Sequence, residues 1–279
     1  MMAWSRALRH SAVVAALLGL SAGESAAQPA ISAARTADNG FVVHTVRSEF
    51  QAGTTQVFVR MPAKPPAARL RVLYVLPVEA QDERRWGDAR AEVAKLNLAD
   101  RYGVIVVFPT FSHLPWYVDH PSDPSIRQET YVLKGVVPFV ERSYPAQAGP
   151  NGRLLLGFSK SGWGAWTLLL RHPEMFGRAA AWDAPMTMDF PRYGIGPIAG
   201  TQENFERYRV IGLLRERGVL LGSEPRLMLA GFDFYRDQTI KAHRLMQRLQ
   251  IPHAYRDGPQ RHHHWNSGWM AELAGWIAR

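Results

Sequence analysis

Runs of β-branched and aliphatic residues recur along this sequence, with helical patterns between them. Three runs, at 70–76, 104–108 and 154–156, are largely apolar, which is typical of strands buried on both faces of a sheet. Residues 87–101 carry Ala89, Val93 and Leu96 at helical spacing. Strands that alternate with helices of about ten or more residues form a parallel sheet covered on both faces. The sequence therefore predicts an α/β fold with a mostly parallel central sheet.

The rest of the chain extends this pattern. Residues 41–46 and 55–60 predict an antiparallel opening pair, and 179–182, 227–230 and 254–256 predict further strands. Helices are expected at 126–144, with a kink at Pro138, and at 163–171 and 239–249. The Gly- and Pro-rich stretch 185–204 is typical of an insertion over the carboxyl edge of the sheet. We expect one domain at 40–279, preceded by a flexible leader at 28–39.

One turn carries a candidate nucleophile. The stretch 157–165, GFSKSGWGA, follows the run at 154–156 and contains six small residues in nine. A nucleophile elbow between strand and helix needs small residues two before and two after its serine, and Gly157 and Ser161 meet that demand around Ser159. The backbone N–H of Lys160 would then point at a developing oxyanion. The alternative is a glycine-rich packing turn without chemistry.

A catalytic serine needs a base, and the base needs an orienting acid. Asp233, two residues past a glycine at a strand end, is the preferred acid. Asp237 is the second choice and would otherwise cap a helix, and Asp183, at the end of an earlier strand, is the third. Each of the three is alternatively a solvated loop carboxylate or a helix cap.

The base is expected among three consecutive histidines, His262, His263 and His264. Adjacent residues do not share one face of a helix or strand, and no second ligand cluster is spaced to complete a metal site. We therefore favour a catalytic base over a metal centre or a surface loop with no role. Spacing alone does not decide which histidine is the base.

These motifs resemble the esterase branch of the α/β-hydrolases, which includes esterase D, feruloyl esterases and the secreted mycolyltransferases. The resemblance covers residues 40–279 and includes the serine motif, the Gly-Phe-Asp segment at 231–233, and His-x-Trp at 263–265 followed by a second Trp. It also includes Gln-Glu-Thr-Tyr at 128–131 and the segment 171–176. It implies the α/β-hydrolase fold, a Ser-His-Asp triad of Ser159, His263 and Asp233, and no cofactor or metal.

Two positions depart from the family's pattern. The His-Gly that usually follows the first central strand is replaced by Pro77-Val78-Glu79. Proline has no N–H, so Val78 or Glu79 must supply the second oxyanion donor beside Lys160. The side chain of Lys160 is the other departure, because an ammonium there could attract an anionic substrate or occupy the site.

The predicted function is hydrolysis of carboxylic esters, small or polymer-linked, through an acyl-enzyme. Acyl transfer, peptide hydrolysis and a non-catalytic hydrolase-fold binding protein remain alternatives. Trp116 and Tyr117 follow the carboxyl end of a strand, where ligands bind in open α/β sheets, and are candidates to line the substrate pocket. Core packing is the equally weighted alternative for both.

The N-terminal residues predict export. Arg6, Arg9 and His10 precede a short apolar run at 11–20, and Ser25-Ala26-Ala27 offers a cleavage site, so 1–27 predict a signal peptide and a secreted or periplasmic enzyme. The run is too short for a permanent membrane span. The chain has no cysteine, so no disulfide is available. Its net charge is +9, but the basic residues are scattered among acidic ones, and this distribution disfavours nucleic-acid binding. The oligomeric state is left open.

Overall fold

The structure is a computed structural model that describes residues 29–279; the predicted signal peptide lies outside this range. The strands are β1 (Ala30–Ile31), β2 (Arg35–Thr36), β3 (Val42–Arg47), β4 (Thr54–Arg60), β5 (Val72–Val75), β6 (Ile105–Pro109), β7 (Arg153–Phe158), β8 (Arg178–Trp182), β9 (Leu227–Ala230) and β10 (His253–Arg256). The helices are α1 (Ala89–Lys95), α2 (Leu98–Tyr102), α3 (Gln128–Thr130), α4 (Val137–Ser143), α5 (Ser159–Arg171), α6 (Gly196–Ala199), α7 (Gln202–Glu206), α8 (Val210–Arg217), α9 (Arg236–Arg248) and α10 (Trp269–Ile277).

The strands of the described residues form a single mixed sheet. Its order is β1-β3-β4-β6-β5-β7-β8-β9-β10, with β2 paired to β3. The pairings from β6 through β10 are all parallel, whereas β1 to β4 and the β4–β6 contact are antiparallel. The predictions of an antiparallel opening pair and a mostly parallel central sheet are therefore confirmed.

The central strands are apolar on both faces because both faces are covered. Successive side chains of a strand point to opposite sides. In β5, Val72 and Tyr74 pack into the core on one face, and Leu73 and Val75 pack into the core on the other. Helix α5 belongs to the first of these cores and α10 to the second.

Two predicted helices differ from the structure. The segment predicted at 87–101 is divided into α1 and α2 because Asn97 has a left-handed φ of 49°. The segment predicted at 126–144 contains α3, a π-helix at Tyr131–Val136 and α4, and Pro138 lies in the first turn of α4. The helical path is continuous here, because the N–H of Val137 donates to the Val132 carbonyl five residues back, and the wider turn of the π-helix precedes the proline that lacks an N–H.

The described part of the predicted leader is paired with the sheet. Strand β1 pairs with the end of β3 and β2 with its beginning, both antiparallel. Residues 30–31 and 35–36, within the leader predicted at 28–39, thus extend the sheet at its edge. Within 29–279, no helix combines the length and apolar character needed to cross a bilayer.

Candidate active site

Ser159 occupies a strained turn at the carboxyl end of β7, directly before the rest of α5. Its φ is 52°, in the left-handed region that residues with a side chain seldom adopt. A Cβ added at Gly157 would lie 2.1 Å from the carbonyl oxygen of Ser161, and one at Gly162 would lie 2.9 Å from the Cβ of Ala184. The small residues are therefore required for the close approach of strand and helix at the predicted elbow.

Ser161 fixes the elbow through its hydroxyl. The Oγ accepts a hydrogen bond from the backbone N–H of Phe158 at 3.0 Å and donates one to the Phe158 carbonyl at 2.9 Å. The backbone N–H and C=O of Phe158, the buried residue before the nucleophile, are thus both hydrogen-bonded. Serine at this position is small enough for the elbow and also caps it.

The nucleophile, the imidazole and a carboxylate lie in one chain of contacts. His263 Nε2 is 3.1 Å from Ser159 Oγ, and His263 Nδ1 is 2.5 Å from Asp183 Oδ2. All three side chains are buried. Ser159 follows β7, Asp183 follows the adjacent strand β8, and His263 comes from the loop between β10 and α10. This is the arrangement in which an imidazole can take a proton from a hydroxyl while a carboxylate fixes the ring.

Asp183 is held in place by the segment that follows β9. Its carboxylate accepts the backbone N–H groups of Phe234 at 3.3 Å and Tyr235 at 2.8 Å. Its own φ is 42°. Gly231 allows this approach, since a Cβ there would lie 2.4 Å from the Asp183 nitrogen. The carboxylate therefore has two fixed donors besides the ring of His263.

The structure contradicts the prediction that Asp233 contacts the ring. The Asp233 carboxylate accepts the backbone N–H of His263 at 2.7 Å, while the ring belongs to Asp183. Strands β8 and β9 are parallel neighbours, so both aspartates reach the same edge, and the sequence pattern could not distinguish them. Asp237, the other candidate, is exposed in the first turn of α9.

The two segments that carry the predicted oxyanion residues are neighbours at the elbow. Lys160 lies in the first turn of α5, where backbone N–H groups lack intrahelical partners. Val78 and Glu79 are buried in the turn after β5. That turn runs beside the elbow, because the N–H of Leu76 donates to the carbonyl of Leu156 at 2.9 Å. The geometry thus brings both predicted donor segments to one edge.

The two departures from the family's pattern contact each other. Lys160 Nζ lies 3.2 Å from Glu79 Oε1, and the indole N–H of Trp86 donates to the same oxygen at 3.0 Å. The Lys160 side chain is 14% exposed and that of Glu79 is 8% exposed. The ammonium is therefore neutralised by a buried carboxylate, and the pair ties the turn after β5 to the helix that begins at Ser159.

Trp116 and Tyr117 are fully buried, which contradicts the prediction that they line an open pocket. Trp116 packs edge-on against Trp163 at 5.5 Å between ring centroids. Tyr117 has a φ of 60°, and its hydroxyl donates to the Pro77 carbonyl at 2.7 Å. Burial raises the pKa of Tyr117 well above its ordinary value. The tyrosine supports the turn that carries Val78 from inside the core.

Different aromatic rings surround the histidine. Phe234 stacks on His263 at 4.7 Å between ring centroids, Phe158 lies at 4.4 Å, and Trp86 meets it edge-on at 4.9 Å. Phe234 is 64% exposed, so a large apolar ring faces solvent next to the imidazole. Sequence reasoning missed Phe234 and Trp86. The aromatic run Phe-Asp-Phe-Tyr at 232–235 was the available signal for the first of them.

The neighbouring histidines have local partners. His262 Nε2 lies 2.9 Å from the Asn266 side-chain oxygen, and His264 Nδ1 accepts the Asn266 backbone N–H at 3.3 Å. Across residues 29–279, no group of three potential ligands among His, Cys, Asp and Glu is placed to bind a metal ion. Only the middle histidine points at the serine.

The segments 128–131 and 171–176, both part of the family resemblance, meet at the buried carboxylate of Glu129. The carboxylate of Glu129 accepts hydrogen bonds from Arg171 at 2.6 Å and from the Tyr208 hydroxyl at 2.7 Å, and it lies 2.7 Å from Nε2 of His172. Burial opposes ionisation of Glu129, but the bonds from His172 and Arg171 outweigh it and lower its pKa to about 2. This network joins α3 to the end of α5.

The fold and the elbow define an α/β-hydrolase, and comparison with known proteins agrees. An S-formylglutathione hydrolase from Agrobacterium tumefaciens superposes with a TM-score of 0.68 at 17% identity, over 89% of this chain and 98% of that one. A ferulic acid esterase superposes with a TM-score of 0.65 at 20% identity, over 90% and 96%. A fluorophosphonate-binding serine hydrolase from Staphylococcus aureus gives 0.67 at 14%, over 91% and 100%.

The family described as "Putative esterase" matches residues 48–206, more than half of the chain. The chain belongs to this esterase family, and its enzyme class is carboxylic-ester hydrolase. The resemblance inferred from the motifs and the predicted α/β-hydrolase fold are confirmed. No curated protein matches the sequence.

Proposed function

We propose that this esterase cleaves carboxylic esters through an acyl-enzyme formed on Ser159. The observation that carries the proposal is the run of contacts from Ser159 Oγ to His263 Nε2 at 3.1 Å and from His263 Nδ1 to Asp183 at 2.5 Å. Each group has the chemical type and order that nucleophilic acyl transfer needs.

In the first half-reaction, Ser159 Oγ attacks the acyl carbon as His263 takes its proton. The imidazolium then protonates the departing alcohol, which leaves the acyl group on the serine. In the second half-reaction, His263 takes a proton from water, the resulting hydroxide attacks the acyl carbon, and the serine regains its proton. Asp183 stabilises the imidazolium and keeps Nε2 directed at the serine.

The negative charge that develops on the acyl oxygen needs fixed donors. The backbone N–H of Lys160 is the first, and its place in the first turn of α5 supports this role. The second comes from Val78 or Glu79, whose turn lies beside the elbow. Preorganised donors of this kind each contribute on the order of 10²–10³-fold to the rate.

The Ser159→Ala variant tests this function. The serine is a small residue at an elbow, so the variant should fold, while ester hydrolysis should fall by on the order of 10⁴-fold or more. A fluorophosphonate probe should label the native chain and fail to label the variant. Hydrolysis within about tenfold of the native rate, or labelling of folded Ser159→Ala at the native stoichiometry, would overturn the assignment.

We also propose that the enzyme acts outside the cytoplasm, on small or polymer-linked esters. The basic start, the apolar run at 11–20 and the small residues at 25–27 support export. Mass spectrometry of the exported protein should find a chain that starts near Gln28. An intact Met1 in that fraction would argue against cleavage.

A further inference from the structure

A cavity lies at the edge of the sheet opposite Ser159, where the parallel strands begin. Its volume is about 570 Å³, and its lining includes Arg71, Arg178, Arg226 and Leu154. Arg178 is the first residue of β8, and Arg71 and Arg226 directly precede β5 and β9. Leu154, on β7, precedes Ser159 by five residues, and five residues of a strand span roughly 16 Å. The cavity is therefore separate from the candidate active site.

The sheet register places two of these arginines side by side. Leu154 is opposite Arg178, and the pairing of Ala179 with Leu227 puts Arg178 opposite Arg226. Residues opposite each other on parallel strands point to the same face, and neighbouring strands lie about 4.8 Å apart. The register brings the backbones of Arg178 and Arg226 together, but their guanidinium groups have different partners: Arg178 donates to the Trp276 carbonyl, and Arg226 donates to those of Gly177 and Pro173. The guanidinium of Arg178 acts instead on that of Arg71, whose pKa is lowered by burial and by this charge.

The charge of these arginines is not neutralised by ion pairs. Among residues 29–279, Arg71, Arg178 and Arg226 have no carboxylate oxygen within the 4.0 Å limit of an ion pair, whereas Arg153, at the start of β7, is bound to Glu141 at 2.6 Å. The three instead donate to backbone carbonyls, which fixes the guanidinium groups without cancelling their charge. Burial and the nearby charge of Arg178 lower the pKa of Arg71.

Acidic residues around the cavity are few. Glu224 is the one carboxylate side chain among the described residues of the lining, against the three arginines and Arg279. Glu174 acts on Arg226 from beyond ion-pair distance. Two cations placed side by side in a partly buried cavity repel each other, and a bound anion relieves that repulsion.

We propose that this cavity binds an organic phosphate. The phosphate group would lie against Arg71, Arg178 and Arg226, because the backbone carbonyls take only part of the five N–H donors of each guanidinium, and the remaining donors and the positive charge suit a dianion. The apolar part of the ligand would contact Leu154 and Leu221, which also line the cavity. A volume of this size suits a small organic molecule. The site is additional to the esterase function and does not depend on it.

The test is calorimetric titration of the full chain with phenyl phosphate, with inorganic pyrophosphate and with phenol, at constant ionic strength. We expect saturable binding of the two phosphates and none of phenol. Arg178→Gln should weaken phosphate binding by about tenfold or more, since it removes one charged fork from the site. Arg178→Lys keeps the positive charge and loses the paired donors, so its phosphate affinity should lie between those of the native chain and Arg178→Gln. Intermediate affinity in this variant would show that the loss in Arg178→Gln is not a folding defect.

Arg215→Gln and Arg244→Gln are the matched controls. Both remove one exposed positive charge, from α8 and α9, and neither residue lines the cavity. They should bind phosphate as the native chain does. The proposal is overturned if the native chain binds neither phosphate at millimolar concentration, or if the controls weaken binding as much as Arg178→Gln. Native affinity in a folded Arg178→Gln variant would overturn it equally.

Discussion

The charged side chains near Ser159, at one edge of the parallel sheet, have partners of opposite charge or a hydrogen-bonded ring, whereas three arginines at the other edge have no carboxylate partner within residues 29–279. At the carboxyl edge, the charged side chains near Ser159 have partners, with Lys160 on Glu79 and the Asp183 carboxylate hydrogen-bonded to the ring of His263. At the amino edge, Arg71, Arg178 and Arg226 face a cavity without a carboxylate partner. A paired buried charge holds its surroundings in place, whereas an unpaired one favours a ligand of opposite charge. The comparison suggests that one edge is organised for chemistry and the other for binding.

The largest effect is expected at the base of the carboxyl edge. His263→Ala should lower ester hydrolysis by on the order of 10⁴-fold or more, and adding Ser159→Ala should change little further, because triad members act as a unit. His262→Ala is the matched control and should lose far less, since that ring is hydrogen-bonded to Asn266 and packs on His264, away from the serine. Steady-state kinetics on an ester substrate measure both. Equal losses of activity in the two histidine variants would contradict the assignment of His263 as the base.

The next effect separates the two aspartates. Asp183→Asn should lower kcat by on the order of 10³–10⁴-fold, because the amide cannot stabilise the imidazolium. Asp233→Asn should lose much less, since its carboxylate binds the His263 backbone N–H and not the ring. If Asp233→Asn proves the more damaging variant in the same assay, the contact at Nδ1 does not identify the functional acid.

A pH series tests how far pairing stabilises a buried carboxylate. The pKa of Glu129 is lowered from its ordinary 4.5 to about 2 in the folded chain, so its stabilisation is complete above about pH 4.5 and is lost as the pH falls toward 2. That corresponds to about 3 kcal/mol of unfolding free energy. Urea unfolding between pH 7 and pH 2.5 should show the loss. Glu129→Gln should be less stable at pH 7 and should lose less on acidification.

The smallest effect concerns the pair beside the nucleophile. Glu79→Gln and Lys160→Met should each lower kcat by roughly tenfold with little change in KM, because the pair positions donors that act mainly in the transition state. Each leaves its backbone N–H in place. The double variant should lose little more than either single one. Additive losses, or a change confined to KM, would show that the pair does not position these donors.

The fold and the nucleophile were predictable because their signals are local. Apolar runs predicted β5, β6 and β7, and the small residues around Ser159 predicted the elbow from steric demand alone. The histidine came from the resemblance to the family, since spacing left three choices. Its role and that of Ser159 in catalysis stay predictions until the variants are measured.

The acid and the pocket were not predictable, because they depend on contacts between distant segments. Asp183 and Asp233 both follow strands at one edge, and only the path of the segment at 231–235 decides which carboxylate meets the ring. Trp116 and Tyr117 follow a strand as pocket residues would, yet the chain turns them inward, where Gly164 leaves room for the tyrosine ring. The exposed ring beside His263 comes from Phe234 instead.

Left-handed backbone at Ser159, Asp183 and Tyr117 has a consequence for how the molecule tolerates damage. Each of these conformations costs on the order of 1 kcal/mol or more and persists only because the surrounding structure enforces it. We expect partial denaturation to disturb the turns at Ser159 and Asp183, and with them ester hydrolysis, before the central sheet unfolds.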